Sequence, residues 1–186
     1  METKFPLNDF TEILTPRLRI REVRNTDVSD FFRIRSNPEN MRYIPRPVAQ
    51  SEQDILDFFA LCDETYQKGD GLNLGIALKD SDVLIGSIGF YRTKWYADRS
   101  EIGYILSEDH RGKGYMHEAI SAIIQFGFEK IGFHSLEAII DPRNSASINV
   151  VEKVGFVKEG HLKECDYWNG EYLDSLIYSL INPKQN

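Results

Sequence analysis

Residues 101–132 read EIGYILSEDHRGKGYMHEAISAIIQFGFEKIG, and this stretch decides the fold. It begins as a predicted strand, because Ile102, Tyr104 and Leu106 alternate onto one face. A charged turn follows, and then a helix that Gly132 is suited to end. The helix is indicated by apolar residues at helical spacing, namely Met116, Ala119, Ile120 and Ile123.

The turn before this helix has the features of an anion-binding site. Gly112 and Gly114 lie where the turn becomes helix, so a ligand can approach a backbone that carries no side chains. The first N–H groups of a helix have no partners inside it, and the peptide dipoles add about half a positive charge there. Arg111 and Lys113 add two cations. The backbone N–H groups of residues 112–116 are therefore predicted to bind phosphate.

Composition limits the class of protein. The chain has 186 residues, 41% of them hydrophobic, which predicts a single domain with a core at about residues 16–181. The formal charge of −7 argues against direct nucleic-acid binding and suits cationic partners such as amines. No apolar run approaches the roughly twenty residues of a membrane span, and no signal peptide opens the chain. A cytoplasmic monomer or homodimer is expected, without a metal, since the two cysteines and four histidines are scattered.

The N-terminal part predicts a strand and two helices. Leu18 and Ile20 alternate with three arginines, as in a half-buried strand whose arginines face solvent. Thr26 or Asp27 can cap the first helix, and Ser51 begins the second.

The remaining strands are predicted at residues 72–78, 83–91, 101–106, 135–141, 156–168 and 171–181. The first three are expected to be antiparallel, whereas the two that flank the central helix should be parallel. A short helix with Ile148, Val151 and Val154 inward ends at Gly155, and Asn169-Gly170 forms the last hairpin turn. The predicted fold class is α/β, a mixed sheet with helices on both faces.

The glycine loop fits one of three phosphate-binding patterns. A Walker loop needs Ser or Thr after its Lys, but Gly114 follows Lys113. A dinucleotide-binding loop needs a third glycine, where this chain has His117. The third pattern, [Q/R]-x-x-G-x-[G/A], matches residues 111–116 except that Met116 replaces a small residue. It resembles the pyrophosphate loop of the GCN5-related N-acetyltransferases, which bind acetyl-coenzyme A.

Four other fragments support this resemblance across residues 16–181. They are TPRLRIR at 15–21, SNPENMRY at 36–43, N-x-x-S-x-x-x-V-E-K-x-G-F at 144–156, and D-x-x-x-Y-S-L at 174–180. Together they are similar to the RimJ/RimL branch of the family, whose members typically acetylate the α-amine of ribosomal proteins. The resemblance implies the acyltransferase fold, with acetyl-coenzyme A in a gap between the strands that end at Leu106 and Asp141.

The resemblance assigns roles to particular residues. The strand residues Tyr104, Ile105 and Leu106 would pair with the pantetheine amides, and Arg111, Gly112, Lys113, Gly114, Tyr115 and Met116 would hold the pyrophosphate. Gly103 suits either a bulge or close packing. Asn144 and Ser147 stand at a helix start, where one can cap the helix and the other can face the ligand.

The chemistry needs a neutral amine and a departing thiol. At pH 7 an α-amine with a pKa of about 8 loses its proton at a cost of about 1 kcal/mol, against about 4–5 kcal/mol for a lysine-type amine. Many members of the wider family carry a tyrosine acid where this chain has Val151. Either Ser147 donates a hydrogen bond to the sulfur, or no side-chain acid is used. The candidate bases are Asp166, on the strand after Gly160, and Glu101, which could act through a water.

Three functions are compatible with these residues. The first is acetylation of a protein N-terminal α-amine, and the second is acetylation of a polyamine, amino acid or antibiotic. The third is a binding module that senses acyl-coenzyme A without turnover. The loops expected to choose the acceptor are residues 37–47, 92–99 and 165–170.

Overall fold

A computed structural model describes Phe5 and residues 12–185 of the chain. Its strands are β1 (Glu12–Leu14), β2 (Leu18–Arg21), β3 (Leu72–Leu78), β4 (Leu84–Lys94), β5 (Arg99–Leu106), β6 (Ser135–Ile140), β7 (Val157–Trp168) and β8 (Glu171–Ile181). Its helices are α1 (Val28–Arg35), α2 (Pro38–Met41), α3 (Glu52–Lys68), α4 (Tyr115–Phe126) and α5 (Ser145–Lys153).

In this part of the chain the strands form one sheet in the order β1-β2-β3-β4-β5-β6-β8-β7. The β5–β6 pair is parallel, and the β3–β4, β4–β5 and β7–β8 pairs are antiparallel, as the sequence predicts. The β1–β2, β2–β3 and β6–β8 pairs are also antiparallel. Helices α4 and α5 pack on one face, in a core with Ile102 and Leu106. Helices α1 and α3 pack on the other face, where Ile105 belongs to their cluster. The predicted α/β class, with helices on both faces of a mixed sheet, is confirmed.

The start of β5 differs from the sequence prediction because neighbouring strands extend it, whereas the predicted helix end at Gly132 and the Asn169-Gly170 turn are confirmed. Strand β5 begins at Arg99 rather than Glu101, since Arg99 pairs with both Lys94 and Ser135. Helix α4 continues as a π-helical turn over Gly127–Ile131, and Gly132 ends it in the left-handed conformation with φ +88°. The Asn169-Gly170 turn has two positive φ angles, as a tight hairpin turn requires.

The predictions that Arg21 faces solvent and that Asp27 can cap α1 are wrong. Arg21 does not face solvent: its side chain is 2% exposed and forms ion pairs with Asp27 at 2.8 Å and with Asp82 at 2.9 Å. The Asp27 carboxylate is committed to Arg21 and to the backbone N–H of Arg24, so it does not cap α1. A charged side chain can be buried in this way when oppositely charged partners and hydrogen bonds replace the water that it loses. Ser51 does begin α3, in a capping box with Asp54.

Candidate active site

The glycine loop joins β5 to α4 through a short 3-10 turn at Glu108–His110. Gly112 and Gly114 have φ angles of +72° and +80°, a region that side chains rarely adopt. The first backbone bond of the helix runs from the Glu118 N–H to the Gly114 carbonyl at 3.1 Å. The N–H groups of residues 115–117 precede that bond and point out of the helix start. This geometry fits an anion such as pyrophosphate.

Arg17 fixes this loop from the neighbouring strand connection. Its guanidinium donates to the Lys113 carbonyl at 2.8 Å and to the Glu118 carboxylate at 2.7 Å. It also lies over the Tyr115 ring, 4.6 Å from the ring centre. Thr15 donates to the same Glu118 carboxylate at 2.6 Å. Sequence reasoning did not find this role of Arg17, although it falls in the TPRLRIR fragment.

The two cations predicted beside the loop, Arg111 and Lys113, form hydrogen bonds that hold the loop in place. Arg111 donates to the Asn40 side-chain oxygen at 3.0 Å and so joins the loop to α2. The Lys113 ammonium donates to the Asp109 carbonyl at 2.8 Å and is exposed. Arg111 and Lys113 donate to neutral oxygens and keep their charge, whereas the charge of Arg17 is paired with Glu118, so the helix start and these two cations supply the positive potential at the loop.

The parallel pair β5–β6 opens beside the loop. Strand β5 pairs with β6 only at Arg99, Ser100 and Glu101. Further along, residues 102–106 have no pairing with β6 within the described chain, while β6 continues along β8 to Ile140. The edge of β5 that contains Tyr104, Ile105 and Leu106 therefore offers backbone groups that an extended amide ligand can pair with.

Ser147 and Tyr104 meet across this opening. Their hydroxyl oxygens are 2.6 Å apart, although 43 residues separate them in sequence. Burial raises the pKa of Tyr104 to about 12, so its hydroxyl stays neutral at physiological pH. Asn144 caps α5, because its side chain accepts from the Ser147 N–H at 3.1 Å. The cap and the ligand-facing residue are thus distinguished, and the Ser147 hydroxyl is free of capping.

Glu101 is the last residue of β5 that pairs with β6, so it lies where the two strands separate. Its side chain is 12% exposed and forms an ion pair with Arg92 at 3.0 Å. Burial raises the pKa of Glu101 to about 6, Arg92 opposes this rise, and Glu137 adds to it. A carboxyl group with a pKa near 6 can accept a proton at neutral pH and release it again.

Two other predicted residues, Asp166 and Gly103, are also placed. Asp166 is exposed on the edge strand β7, and its carboxylate accepts from the N–H of Tyr167 at 2.8 Å. Its described contacts join it neither to Glu101 nor to Ser147. Gly103 is a packing glycine, since an added Cβ would lie 2.8 Å from the Tyr91 ring.

A pocket of about 420 Å³ lies at the end of β6. It is lined by residues of the loop around α2, by Asp141 and Arg143, and by the tip of the β7–β8 hairpin at Trp168. Two of the three loops expected to choose the acceptor, residues 37–47 and 165–170, contribute to its wall.

Within Phe5 and residues 12–185, no group of three or more His, Cys, Asp or Glu side chains is arranged to hold a metal ion. No helix in that range is long and apolar enough to cross a membrane.

Known proteins with similar folds bind coenzyme A. Mycobacterium smegmatis RimJ in complex with CoA-disulfide superposes with a TM-score of 0.82 at 22% identity, covering 90% of this chain and 83% of that one. Spermidine N-acetyltransferase from Vibrio cholerae, in complex with CoA and spermine, superposes with a TM-score of 0.80 at 20% identity, covering 91% and 98%.

The sequence comparisons identify the family. Residues 17–157 match the model of the acetyltransferase (GNAT) domain. The uncharacterized N-acetyltransferase YoaA of Bacillus subtilis is 32% identical over 176 residues, which cover 95% of this chain and 99% of YoaA. The chain therefore belongs to the GNAT family of N-acetyltransferases.

Proposed function

We propose that this GNAT enzyme transfers an acetyl group from acetyl-coenzyme A to an α-amine, in the first instance that of a protein N-terminus. The proposal rests on the position of Glu101, whose side chain is 12% exposed and lies beside the open edge of β5. The resemblance of the sequence fragments to RimJ and RimL supports a protein N-terminus as acceptor. A free amino acid is the alternative acceptor, and its amine is harder to deprotonate than that of a peptide because the adjacent carboxylate stabilises the ammonium.

The lower pKa of an α-amine makes it a better proton donor to Glu101 than a lysine-type amine. Proton transfer to a carboxylate with a pKa of about 6 is uphill by about 3 kcal/mol from an α-amine with a pKa of about 8. From a lysine-type amine with a pKa of about 10.4 the same transfer is uphill by about 6 kcal/mol. Glu101 would therefore be an adequate base for the first amine and a weak one for the second.

The proposed reaction is a direct transfer. Glu101 takes a proton from the ammonium, and the neutral nitrogen attacks the thioester carbonyl. The carbon–nitrogen bond then forms as the carbon–sulfur bond breaks, and the proton that the acylated nitrogen must lose passes to the departing thiolate. A backbone N–H on the open edge of β5 would stabilise the oxygen that becomes negative. The thiol leaves with a pKa of about 8.5, so a hydrogen bond to sulfur is enough assistance.

Ser147 is the proposed donor to the departing sulfur, and Tyr104 orients it. With a pKa of about 12, Tyr104 would not surrender its proton to a thiolate of much lower pKa. It can donate a hydrogen bond to the Ser147 oxygen at 2.6 Å, which leaves the serine hydrogen free to point elsewhere. Val151 is fully buried in the core, in keeping with a mechanism that uses no tyrosine at that position.

Substitutions at the start of α5 separate chemistry from capping. Ser147→Ala should lower kcat about tenfold with little change in acetyl-coenzyme A affinity, because its hydrogen bond strengthens as charge develops on sulfur. Asn144→Ala should cost about 1 kcal/mol of unfolding free energy and leave turnover nearly intact, because Asn144 is the cap. Steady-state kinetics, calorimetry and thermal unfolding measure these effects. Turnover of Ser147→Ala within twofold of the parent would refute the role.

A thiol-release screen tests the function itself. Purified protein and acetyl-coenzyme A are offered three acceptors: peptides with a free N-terminus, N-terminally blocked peptides that contain lysine, and spermidine. We expect the free α-amine peptides to be acetylated at least tenfold faster than the other two, for the pKa reason given above. A preference for spermidine or for lysine side chains would contradict the proposal.

A further inference from the structure

Two arginines beside helices α1 and α2 have no acidic partner among the described residues. Arg35 ends α1, and Arg46 lies in the loop that follows α2. Within Phe5 and residues 12–185, neither guanidinium forms an ion pair or a hydrogen bond. Arg33, on the same helix as Arg35, is paired with Asp30, and Arg42 lies 3.6 Å from Glu39. The chain carries 29 acidic residues against 22 basic ones, so a shortage of acids does not explain this.

The two guanidinium groups influence one another. Arg35 is half-buried, with its guanidinium carbon 4.3 Å from the centre of the Phe58 ring. Burial lowers the pKa of Arg35, and the like charge of Arg46 is the next largest cause. Two neighbouring cations, one of them partly desolvated, would be stabilised by an anion placed between them.

Arg35 packs against Phe58 of α3, on the sheet face that carries Glu101. The Ala49 N–H donates to the Arg35 carbonyl at 3.1 Å, which brings the segment that follows Arg46 beside it. Tyr91 is directly opposite Glu101 in the β4–β5 ladder, so the two side chains share a face. The charges of Arg35, Arg46 and Glu101 all act on the pKa of the Tyr91 hydroxyl, which burial raises. The amine and the anion-binding groups would therefore lie on the same side of the sheet.

A further hydrogen-bond donor lies on this face. The Tyr91 hydroxyl donates to the side-chain oxygen of Asn73 at 2.7 Å. The buried Asn73 nitrogen has no oxygen partner in the part of the chain that the structure describes, and it interacts with the Cys62 sulfur, where it opposes the rise in the pKa of that thiol. Sulfur is a weak acceptor, so this donor suits an oxygen-bearing ligand.

The pocket at the end of β6 is positively charged, like the pair Arg35 and Arg46. Its wall includes Arg46 together with Arg42 and Arg143, against two acids, Asp141 and Glu171. Arg143 forms ion pairs with both of these acids, at 2.7 and 3.8 Å. The pocket is thus positive in a chain whose formal charge is −7.

We propose that Arg35 and Arg46 bind a carboxylate of the acceptor, so that the substrate is an α-amine with a carboxylate close by. This inference rests on the proposed function, because the amine is the group that Glu101 receives. The carboxylate is the α-carboxylate of a free amino acid or the side chain of an N-terminal Asp or Glu. A polyamine carries only positive charge and is disfavoured beside these arginines.

Pairs of acceptors that differ only in a carboxylate test whether the enzyme recognises that group. In the first arm, the standard amino acids are compared with their α-amides, with acetyl-coenzyme A and thiol release as the readout. In the second arm, peptides that begin with Asp or Glu are compared with peptides that begin with Asn or Gln. We expect the acid to have at least a tenfold higher kcat/KM than its amide in one arm, and that arm identifies the source of the carboxylate. Equal rates, or faster amides, in both arms would overturn the proposal.

Substitution of the arginines tests the assignment to these residues. Arg35→Met and Arg46→Met should each raise KM for the acid at least fivefold and leave KM for the amide unchanged. Methionine retains an apolar chain over the Phe58 ring. Arg33→Met is the matched control on α1, since Arg33 is exposed and paired with Asp30, and it should keep the preference. An unchanged preference in both Arg35→Met and Arg46→Met would exclude these residues from the subsite.

Binding of the acetylated products keeps the inference testable if no acceptor is turned over. Calorimetry with coenzyme A present then compares N-acetyl amino acids with their amides, and N-acetyl peptides that begin with Asp or Glu with those that begin with Asn or Gln. Tighter binding of an acid, weakened at least fivefold in Arg35→Met, would support the subsite even though the proposed function had failed. Acids that bind no better than amides, or equally well to Arg35→Met, would refute the subsite. Unchanged acetyl-coenzyme A affinity in Arg35→Met distinguishes a site for the acceptor from one for cofactor phosphates.

Discussion

Glu101→Gln should lower kcat/KM by about 10²–10⁴-fold, the usual contribution of a general base. Glutamine keeps the size of the side chain but cannot take a proton from the ammonium. The measurement is thiol release under steady-state conditions with the acceptor found in the screen. Asp166→Asn is the matched control, since it neutralises the rival carboxylate on exposed β7, and we expect it to stay within twofold of the parent. The reverse result would assign the base to Asp166.

The pH profile gives a second readout of the same residue. In the parent, kcat/KM should rise with pH through about 6, the pKa to which burial raises Glu101, and Glu101→Gln should lose this limb. Arg92→Met should move the limb to higher pH, because Arg92 lowers that pKa. Glu137→Gln should move it to lower pH, because Glu137 raises the pKa. Shifts in the same direction would show that Glu101 does not produce the limb.

Stability separates the loss of a base from a damaged fold. The pKa of folded Glu101 lies above its ordinary value, so its contribution to stability is full at low pH and is lost as pH rises through about 6. At pH 8 the ionised side chain therefore opposes folding, and glutamine removes that cost. Glu101→Gln should unfold at a temperature no lower than the parent at pH 8. A large fall in Tm would attribute the lost activity to misfolding.

Gly114→Val should weaken acetyl-coenzyme A binding by about 10²-fold. Gly114 has a φ of +80°, where a β-branched residue is strained, and its side chain would stand where N–H groups are offered to phosphate. The loss of one or two charge-assisted hydrogen bonds, each about 1.5–3 kcal/mol, accounts for this magnitude. Calorimetry measures the affinity, and binding as tight as in the parent would place the pyrophosphate elsewhere.

Gly132→Val is the matched control for backbone strain. Gly132 has a φ of +88° with no atom within 4 Å of an added Cβ, and it lies at the other end of the central helix. Both variants should lose about 1–2 kcal/mol of unfolding free energy from the left-handed conformation. Only Gly114→Val should lose affinity for acetyl-coenzyme A. Equal losses of affinity would attribute the effect to strain alone.

Local sequence patterns predicted the parts of this protein that depend on local physics. Gly132 was expected to end the central helix, and it does so with a positive φ; Gly112 and Gly114 were expected where the turn becomes helix, and both also have positive φ. The element order and the parallel β5–β6 pair followed from hydrophobic periodicity and the connecting helix, whereas strand β1 and the β6–β8 pairing were not predicted. The phosphate loop could be identified because its donors are consecutive along the chain.

Contacts between distant segments could not be predicted in this way. The Tyr104–Ser147 pair joins a strand to a helix, and nothing in either fragment specifies a partner 43 residues away. Alternation placed Arg21 in solvent, whereas Asp27 and Asp82 from two turns surround it in the interior. The raised pKa of Glu101 depends on burial and on charges from β4 and β6, so composition alone could not separate it from Asp166.

The gap between β5 and β6 also affects the order in which the two substrates bind and the two products leave. Glu101 and the Tyr104–Ser147 pair lie on opposite faces of the sheet, so the amine and the thioester would reach one narrow window through separate entrances. Neither substrate has to leave before the other arrives, and each product can depart by its own route. Cys62 offers no alternative acyl carrier, since burial raises the pKa of its thiol to about 11. Such an enzyme would work through a ternary complex, and its double-reciprocal plots would intersect rather than run parallel.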